Sequence, residues 1–260
     1  MTFAELHRPG DPFVLPNAWD VGTARALVAA GFPAVGTTSL GVAAAHGLPD
    51  ATGAARAAVV DLARALHEAD LGRPVSCDLE DGFDTDPGAV ADLVASLDVA
   101  GVNLEDATGG VLVDPDLHVA RIRAVKARCP DVFVNARTDV FWLGHGTLAD
   151  AVERLRRYAD AGADGVFAPG VPDLATIEAI VHTVPAPLNV LASAAFTRRQ
   201  FADAGVARIS TGSLLYRAAL TRVVDTALAV RDGQPLPPAV SYQEVQALHE
   251  GVRGTAGGAG

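Results

Sequence analysis

Short apolar runs alternate with longer amphipathic stretches along most of this chain, and several runs end in polar residues spaced two apart. The runs read as strands at 13–15, 33–38, 74–79, 101–105, 132–137, 165–168, 187–191 and 207–211. Helical periodicity falls between them, at 20–30, 53–70, 87–97, 115–128, 147–161, 173–183, 197–204 and 212–231. One junction recurs, in which a helix ends in Ala-Gly and a short strand follows, at Ala30-Gly31, Ala100-Gly101, Ala161-Gly162 and Ala204-Gly205. Glycine there can take the left-handed conformation that stops a helix, and strands so short and apolar are buried on both faces. Eight strands alternating with eight helices predict an α/β fold, a (β/α)8 TIM-type barrel over 1–232. The rival is an open doubly wound sheet, but that gathers ligands at one switch point, whereas here polar residues end at least five strands. Beyond Gly233 come Pro235, Pro237 and Pro238, then an arm with a short helix over 233–250, packed on the barrel or on another subunit. The Gly-rich 251–260 reads as a disordered tail.

Composition narrows the function class. Half of the 260 residues are hydrophobic, enough for a large core, and the net charge of -11 with no basic stripe argues against nucleic acid. Small anionic substrates stay open, because one metal and one Arg can reverse the local field. Two cysteines without a CxxC argue against a disulfide framework or zinc site, and Cys77 reads as a packing residue. An acid stands in the opening Met1-Thr-Phe-Ala-Glu5 where a signal peptide needs basic residues, and no apolar run reaches the length of a membrane helix. The expectation is a soluble cytoplasmic protein with no membrane partner.

In a strand, residues i and i+2 face one side. Asp78 with Glu80, Asn103 with Glu105, and Asn135 with Arg137 and Asp139 therefore each face a common place at a strand end. Carboxylates that converge repel unless a cation sits among them, so a divalent metal on Asp78, Glu80 and Glu105 is expected, against a bland reading as caps. Arg137 stands where it can clamp a substrate carboxylate or pair with Asp139. Asp106 points away and reads as a structural cap. Hydroxyls and backbone N–H groups of Thr37, Thr38 and Ser39 could hold a carboxylate or a phosphoryl oxygen. Asp50 reads by itself as an N-cap, Trp19 as a wall of the pocket or packing beneath it, and Asn189 and Ser210 as cavity lining or satisfied core. There is no Walker A, GxGxxG or GxSxG motif. The single lysine, Lys126, lies within a helix, which disfavours Schiff-base chemistry.

Asn17-Ala-Trp-Asp20, Thr37-Thr-Ser-Leu-Gly41, Gly47-Leu-Pro-Asp50, Asp78-Leu-Glu-Asp-Gly-Phe83, Asn103-Leu-Glu-Asp106 and Asn135-Ala-Arg-Thr-Asp139 stand in order. Together they make residues 13–231 resemble the isocitrate lyase/phosphoenolpyruvate mutase superfamily. The resemblance implies a (β/α)8 barrel whose final helix is exchanged between subunits of a homodimer or homotetramer. It also implies Mg2+, with Mn2+ able to replace it, contacted by Asp78 and reached mostly through water by Asp50, Glu80 and Glu105. A small 2-oxo-carboxylate would then lie against Trp19, Thr37, Thr38, Ser39, Asp50, Arg137 and Asn189, with Arg137 and Glu105 acting on it. Family members often carry Asp where Glu80 stands. The Cys-containing loop of the superfamily's carbon–carbon lyases is replaced by Ala107-Thr-Gly-Gly-Val-Leu-Val-Asp-Pro115. The mutase Lys and Asn are missing from the same loop. Ala168-Pro-Gly170 stands where the phosphonate enzymes place a His. The expected activity is a Mg2+-dependent carbon–carbon lyase or decarboxylase on a small 2-oxo-dicarboxylate, through a metal-stabilised enolate. The alternatives are a phosphonomutase or phosphonopyruvate hydrolase, and a catalytically reduced 2-oxo-acid-binding protein.

Overall fold

A computed structural model describes residues 2–248. The expected tail at 251–260 and the end of the arm lie outside the described residues. The strands are β1 (Phe13–Leu15), β2 (Asn17–Ala18), β3 (Val35–Thr37), β4 (Val75–Asp78), β5 (Gly101–Glu105), β6 (Ala107–Thr108), β7 (Val111–Leu112), β8 (Phe133–Arg137), β9 (Gly165–Phe167), β10 (Leu188–Leu191) and β11 (Arg208–Ser210). The helices are α1 (Val21–Ala29), α2 (Ser39–Ala45), α3 (Arg56–Glu68), α4 (Pro87–Ala95), α5 (Pro115–Arg128), α6 (Leu148–Asp160), α7 (Leu174–Thr183), α8 (Arg198–Asp203), α9 (Leu214–Arg231) and α10 (Tyr242–Ala247).

Nine strands form one parallel sheet in the order β1-β11-β10-β9-β8-β5-β4-β3-β2. Its two end strands are consecutive in sequence. Pro16 lies between them and, lacking an N–H, interrupts the ladder. β1 pairs with β11 and β2 with β3, so the split first strand nearly closes the sheet into a barrel of the (β/α)8 type. Two elements depart from the expected pattern. Ser39–Ala45 is helical, nucleated by Thr38, whose hydroxyl accepts from the Gly41 N–H. The short segment after β5 is an antiparallel hairpin of β6 and β7, not an open loop.

Helix starts follow local chemistry. Asp86 and Asp114 cap α4 and α5, each followed by Pro in the first turn, and Thr147 and Asp150 form a capping box on α6. Gly31, Gly162 and Gly205 take positive φ at the helix-to-strand junctions. Gly101 does not. It opens β5, and any Cβ there would lie 2.7 Å from the Phe3 ring, so its missing side chain makes room for that ring.

The main core lies between strands and helices and includes Val102, Leu104, Val134, Ile177 and the inert Cys77, whose thiol burial pushes up to about 12. Inside the barrel, Phe3, Phe13, Phe133 and His7 plug the end from which the strands start. His7 stacks on Phe133 at 3.9 Å, and burial, with help from Arg208, pushes its pKa down to about 3. Above the plug lies a polar layer. Asn135 Nδ2 and an Arg208 Nη both donate to Asn103 Oδ1 (2.8 and 3.0 Å), Arg208 Nε donates to Ser210 Oγ (2.9 Å), and Ser210 Oγ donates to Asn189 Oδ1 (3.0 Å). Strands β5 and β11 are not neighbours, so the Arg208–Asn103 bond crosses the barrel interior.

Candidate active site

Parallel strands that all end on one face deliver their last residues to one place. Here they open a cavity of about 230 Å3 lined by Ser39, Asp50, Asp78, Glu105 and Arg137, among others. The register aligns Asn103 with Asn135 and Glu105 with Arg137, so alternation carries amide, then charge, up each strand. Asp78 is held from both sides. Its N–H donates to Thr37 Oγ1 (2.9 Å), and its Oδ2 accepts from the Ser39 N–H at the start of α2 (3.1 Å).

Arg137 is shared between two acids. Its Nε and one Nη donate to Asp139 (2.6 and 3.1 Å), and the other Nη pairs with Glu105 Oε2 at 2.7 Å. Its guanidinium also stands 5.7 Å from the centre of the Phe167 ring. The pairing with Asp139 and contact with a ligand are compatible, because a guanidinium has five N–H groups and these contacts use three.

The acids repel one another. Burial raises the Glu105 carboxyl well above the usual range against the opposing pull of Arg137. Burial pushes Glu80 up to about 7, with the negative charges of Asp50 and Asp78 adding to it. Asp50 is raised by burial and by Asp78. Asp50 Oδ1 and Glu80 Oε1 are buried with no hydrogen-bond partner. Glu80 adopts φ +50° and its other oxygen accepts from the Gly53 N–H (2.9 Å). Crowded carboxylates with spare oxygens are the donor chemistry of a hard divalent ion. Among the described residues no three such side chains close into a ready cage, so an ion held here would complete its shell with water.

Of the expected site residues, Thr38, Ser39, Asp50, Asp78, Glu105 and Arg137 line the cavity. Thr37, Glu80, Trp19 and Asn189 do not. Thr37 braces Asp78, Glu80 accepts from the Gly53 N–H, and Asn189 joins the polar layer below. Trp19 packs edge-on against Tyr216 at 5.1 Å. Asp50 caps no helix, since α3 begins at Arg56. Asp106 points away as expected. Sequence reasoning missed Arg208, although Arg208 and Ser210 repeat the alternating polar pattern at the end of β11. It also missed the site role of Asn17, whose Oδ1 accepts from Thr211 and Gly212 N–H groups and ties β2 to the end of β11. The apolar wall of Trp142, Phe167 and Leu191 carries no motif at all.

Residues 3–231 match the phosphoenolpyruvate phosphomutase family. The chain belongs to that family. It is 48% identical to an uncharacterized protein of Mycobacterium tuberculosis over 95% of each chain. It is 31% identical to a probable 2-methylisocitrate lyase 1 of Corynebacterium glutamicum, over 83% of this chain and 75% of that one. The structure of an oxaloacetate acetylhydrolase with the inhibitor 3,3-difluorooxalacetate superposes with a TM-score of 0.85 at 25% identity, covering 95% and 92% of the two chains. A phosphonopyruvate hydrolase solved with oxalate and Mg2+ shares the fold at a TM-score of 0.81 and 24% identity, over 96% and 95%. The superfamily thus contains lyases, mutases and hydrolases, and Mg2+ accompanies at least one of them. No described helix of this chain is long and apolar enough to cross a membrane.

Proposed function

We propose that this family member is a Mg2+-dependent carbon–carbon lyase or decarboxylase acting on a small 2-oxo-dicarboxylate. The observation that carries the reading is the make-up of the cavity. Acids and one guanidinium line it, and among the described residues its wall holds no His, Lys, Cys or Tyr. Asp78 would hold the ion directly, with Asp50, Glu80 and Glu105 reaching it through water. Bound there, Mg2+ supplies Lewis-acid stabilisation of charge on the 2-oxo oxygen. The Ser39 hydroxyl and the spare N–H groups of Arg137 orient the adjacent carboxylate.

Decarboxylation suits such a wall, because it needs no base. The bond from C3 to the departing carboxylate breaks, its electron pair moves toward the 2-oxo oxygen, CO2 leaves, and a solvent proton completes C3. Retro-aldol cleavage needs a group to take the hydroxyl proton, and the lining offers only acids already paired or crowded. The similarity to the oxaloacetate acetylhydrolase supports a four-carbon 2-oxo-diacid frame.

The test is a thermal-shift titration with oxalate, a mimic of the pyruvate enolate, in Mg2+ and again in EDTA. A ligand that binds only the folded state raises its melting temperature. A rise confined to Mg2+ supports the reading and directs assays to oxaloacetate and related acids, with phosphorus-31 NMR of phosphonopyruvate as the contrast. No rise at saturating Mg2+ overturns it and favours a reduced binding protein with a different ligand.

We also propose that the chain self-associates through α9. That helix exposes Leu220, Val223, Val224 and Leu228 at helical spacing, and Tyr216 is its one buried residue. A second copy of the chain is the partner that the exposed face suits. Replacing Val224 and Leu228 with Lys should shift the protein toward monomer in light scattering; an unchanged mass would remove α9 from the interface.

A further inference from the structure

The catalytic cavity is two-sided. Acids and Arg137 come from the ends of β4, β5 and β8 and, with Asp50, from the loop before α3, whereas the opposite wall is apolar, built from Phe167 at the end of β9, Pro169 after it, Leu191 on β10, and Trp142 and Leu143 after β8. Behind that wall lies a second pocket of about 200 Å3, between the ends of β9 and β10 and the helices α7 and α8. Trp142 and Leu191 line both spaces, so the two pockets meet at these side chains.

The second pocket is apolar and carries no charged residue. Val171, Ile177, Val190, Phe196 and Phe201 surround it, and Ala192 and Ser193 stand among them. Ile177, Val190 and Phe201 belong to the buried core, so its floor is rigid, and Phe196 meets Phe201 edge-on at 5.8 Å. The junction is built. A Cβ at Gly170 would lie 3.2 Å from the Trp142 backbone nitrogen, so a bare glycine at φ +77° lets the two loops meet and seats Trp142 there. Trp142 itself is 59% exposed, an unusual place for a large aromatic unless it covers something.

We propose that the substrate carries an apolar substituent on C3, and that this substituent passes between Trp142 and Leu191 into the second pocket. This rests on the reading that a 2-oxo-acid head group occupies the acidic side of the cavity. The same wall that takes the substituent has no cation to hold a second carboxylate in place, which suits a carboxylate that departs as CO2. An alkyl chain is the chemistry that matches a pocket bounded by Ile, Val and Phe side chains. Each methylene transferred from water into it tightens binding by roughly fourfold.

The experiment is calorimetric titration of the full chain in Mg2+ with oxalate, pyruvate, 2-oxobutanoate, 2-oxopentanoate and 2-oxohexanoate. Oxalate reports the head-group site alone, and the 2-oxo-acid ladder reports the second pocket. The expected result is affinity rising roughly fourfold per added methylene along the ladder. Ala192→Phe, which fills the second pocket and lies outside the catalytic lining, should flatten the ladder and leave oxalate affinity unchanged. Phe196→Ala, which enlarges the pocket, should move the optimum to a longer chain and serves if the first variant does not fold. A flat or falling ladder with oxalate still bound overturns this inference alone. Failure of oxalate to bind the wild-type protein overturns the head-group reading, and this inference with it.

Discussion

Two Glu-Asp pairs, Glu80-Asp81 and Glu105-Asp106, sit one strand apart and meet opposite fates. The first acid of each pair stands among the other site acids, Glu105 in the cavity wall and Glu80 outside it, and its carboxyl is raised by burial among other negative charges. The second acid faces the helices and is satisfied there. Asp106 is 0% exposed and accepts from Thr138 Oγ1 (2.8 Å), the Asp139 N–H (2.9 Å), Arg154 (2.9 Å) and the Tyr158 hydroxyl (2.6 Å). Asp81 accepts from the Thr108 hydroxyl, from Arg121 and from the Phe83 N–H. Neighbouring acids thus serve as scaffold or as site according to where the fold places them: Asp81 and Asp106 each meet several donors, whereas Glu80 keeps one buried oxygen without a partner and Glu105 shares Arg137 with Asp139. Burial among like charges, more than the acid itself, marks the acids of the site.

Breaking the scaffold side should have the largest effect. Asp106→Ala strands Arg154, Tyr158 and Thr138 without their acceptor, and loss of one partner of a buried pair costs about 3–5 kcal/mol. In a chain of this size that lowers the melting temperature by on the order of 10 °C in a calorimetric scan. A loss below about 1 kcal/mol would mean that the network is dispensable. Among the acids of the cavity the expectation reverses. Asp78→Ala relieves repulsion among the acids, so stability in EDTA should hold within about 1 kcal/mol, the range of ordinary substitutions. Mg2+-dependent oxalate binding should vanish. Binding with undiminished metal dependence would take Asp78 out of the metal site.

Arg137→Ala sharpens the comparison further, because Arg137 neutralises Glu105 and Asp139 and still lines the cavity. It should weaken 2-oxo-acid affinity by roughly tenfold to a hundredfold, the scale of a lost charge-assisted hydrogen bond, while Mg2+ still binds. Unchanged ligand affinity would leave Arg137 a structural ion-pair member only.

The smallest expected effect is on pH. Glu80 has its folded-state pKa raised to about 7, so the metal-free fold holds a proton there that the unfolded chain releases near the ordinary carboxylate value of about 4.5. Stability from this group is present at low pH and lost as pH rises through 7. Mg2+ needs the carboxylate, so the melting-temperature gain from a fixed Mg2+ concentration should grow between pH 5.5 and 8, as read by thermal shift with and without EDTA. A gain independent of pH would separate Glu80 from the metal.

Much of this was legible in the chain. Period-two alternation is a local property of a strand, so it sorted Glu105 from Asp106 and Asp78 from Cys77 before any fold was known. Ala-Gly junctions and capping residues marked most helix ends for the same local reason. The split of the first strand at Pro16 was less visible, because a single proline reads equally as a strand end. Helix α2 was missed because Ser39-Leu-Gly-Val-Ala-Ala-Ala45 is too short and too apolar to show helical periodicity.

By itself the sequence determined the alternating β/α order, the family, and the side taken by acids such as Asp78 and Glu105 that end a strand, since each of these is written in local spacing. Only the tertiary structure decided which acids are neutralised. Asp106 finds Tyr158 52 residues away, and Arg208 reaches across the barrel to Asn103, 105 residues away in the chain. Closing the sheet also set Phe167, Trp142 and Leu191 side by side and opened a second apolar space behind them. Partners from distant strands, and the void left between helices and strand ends, arise from closure of the barrel, and no run of neighbouring residues encodes them.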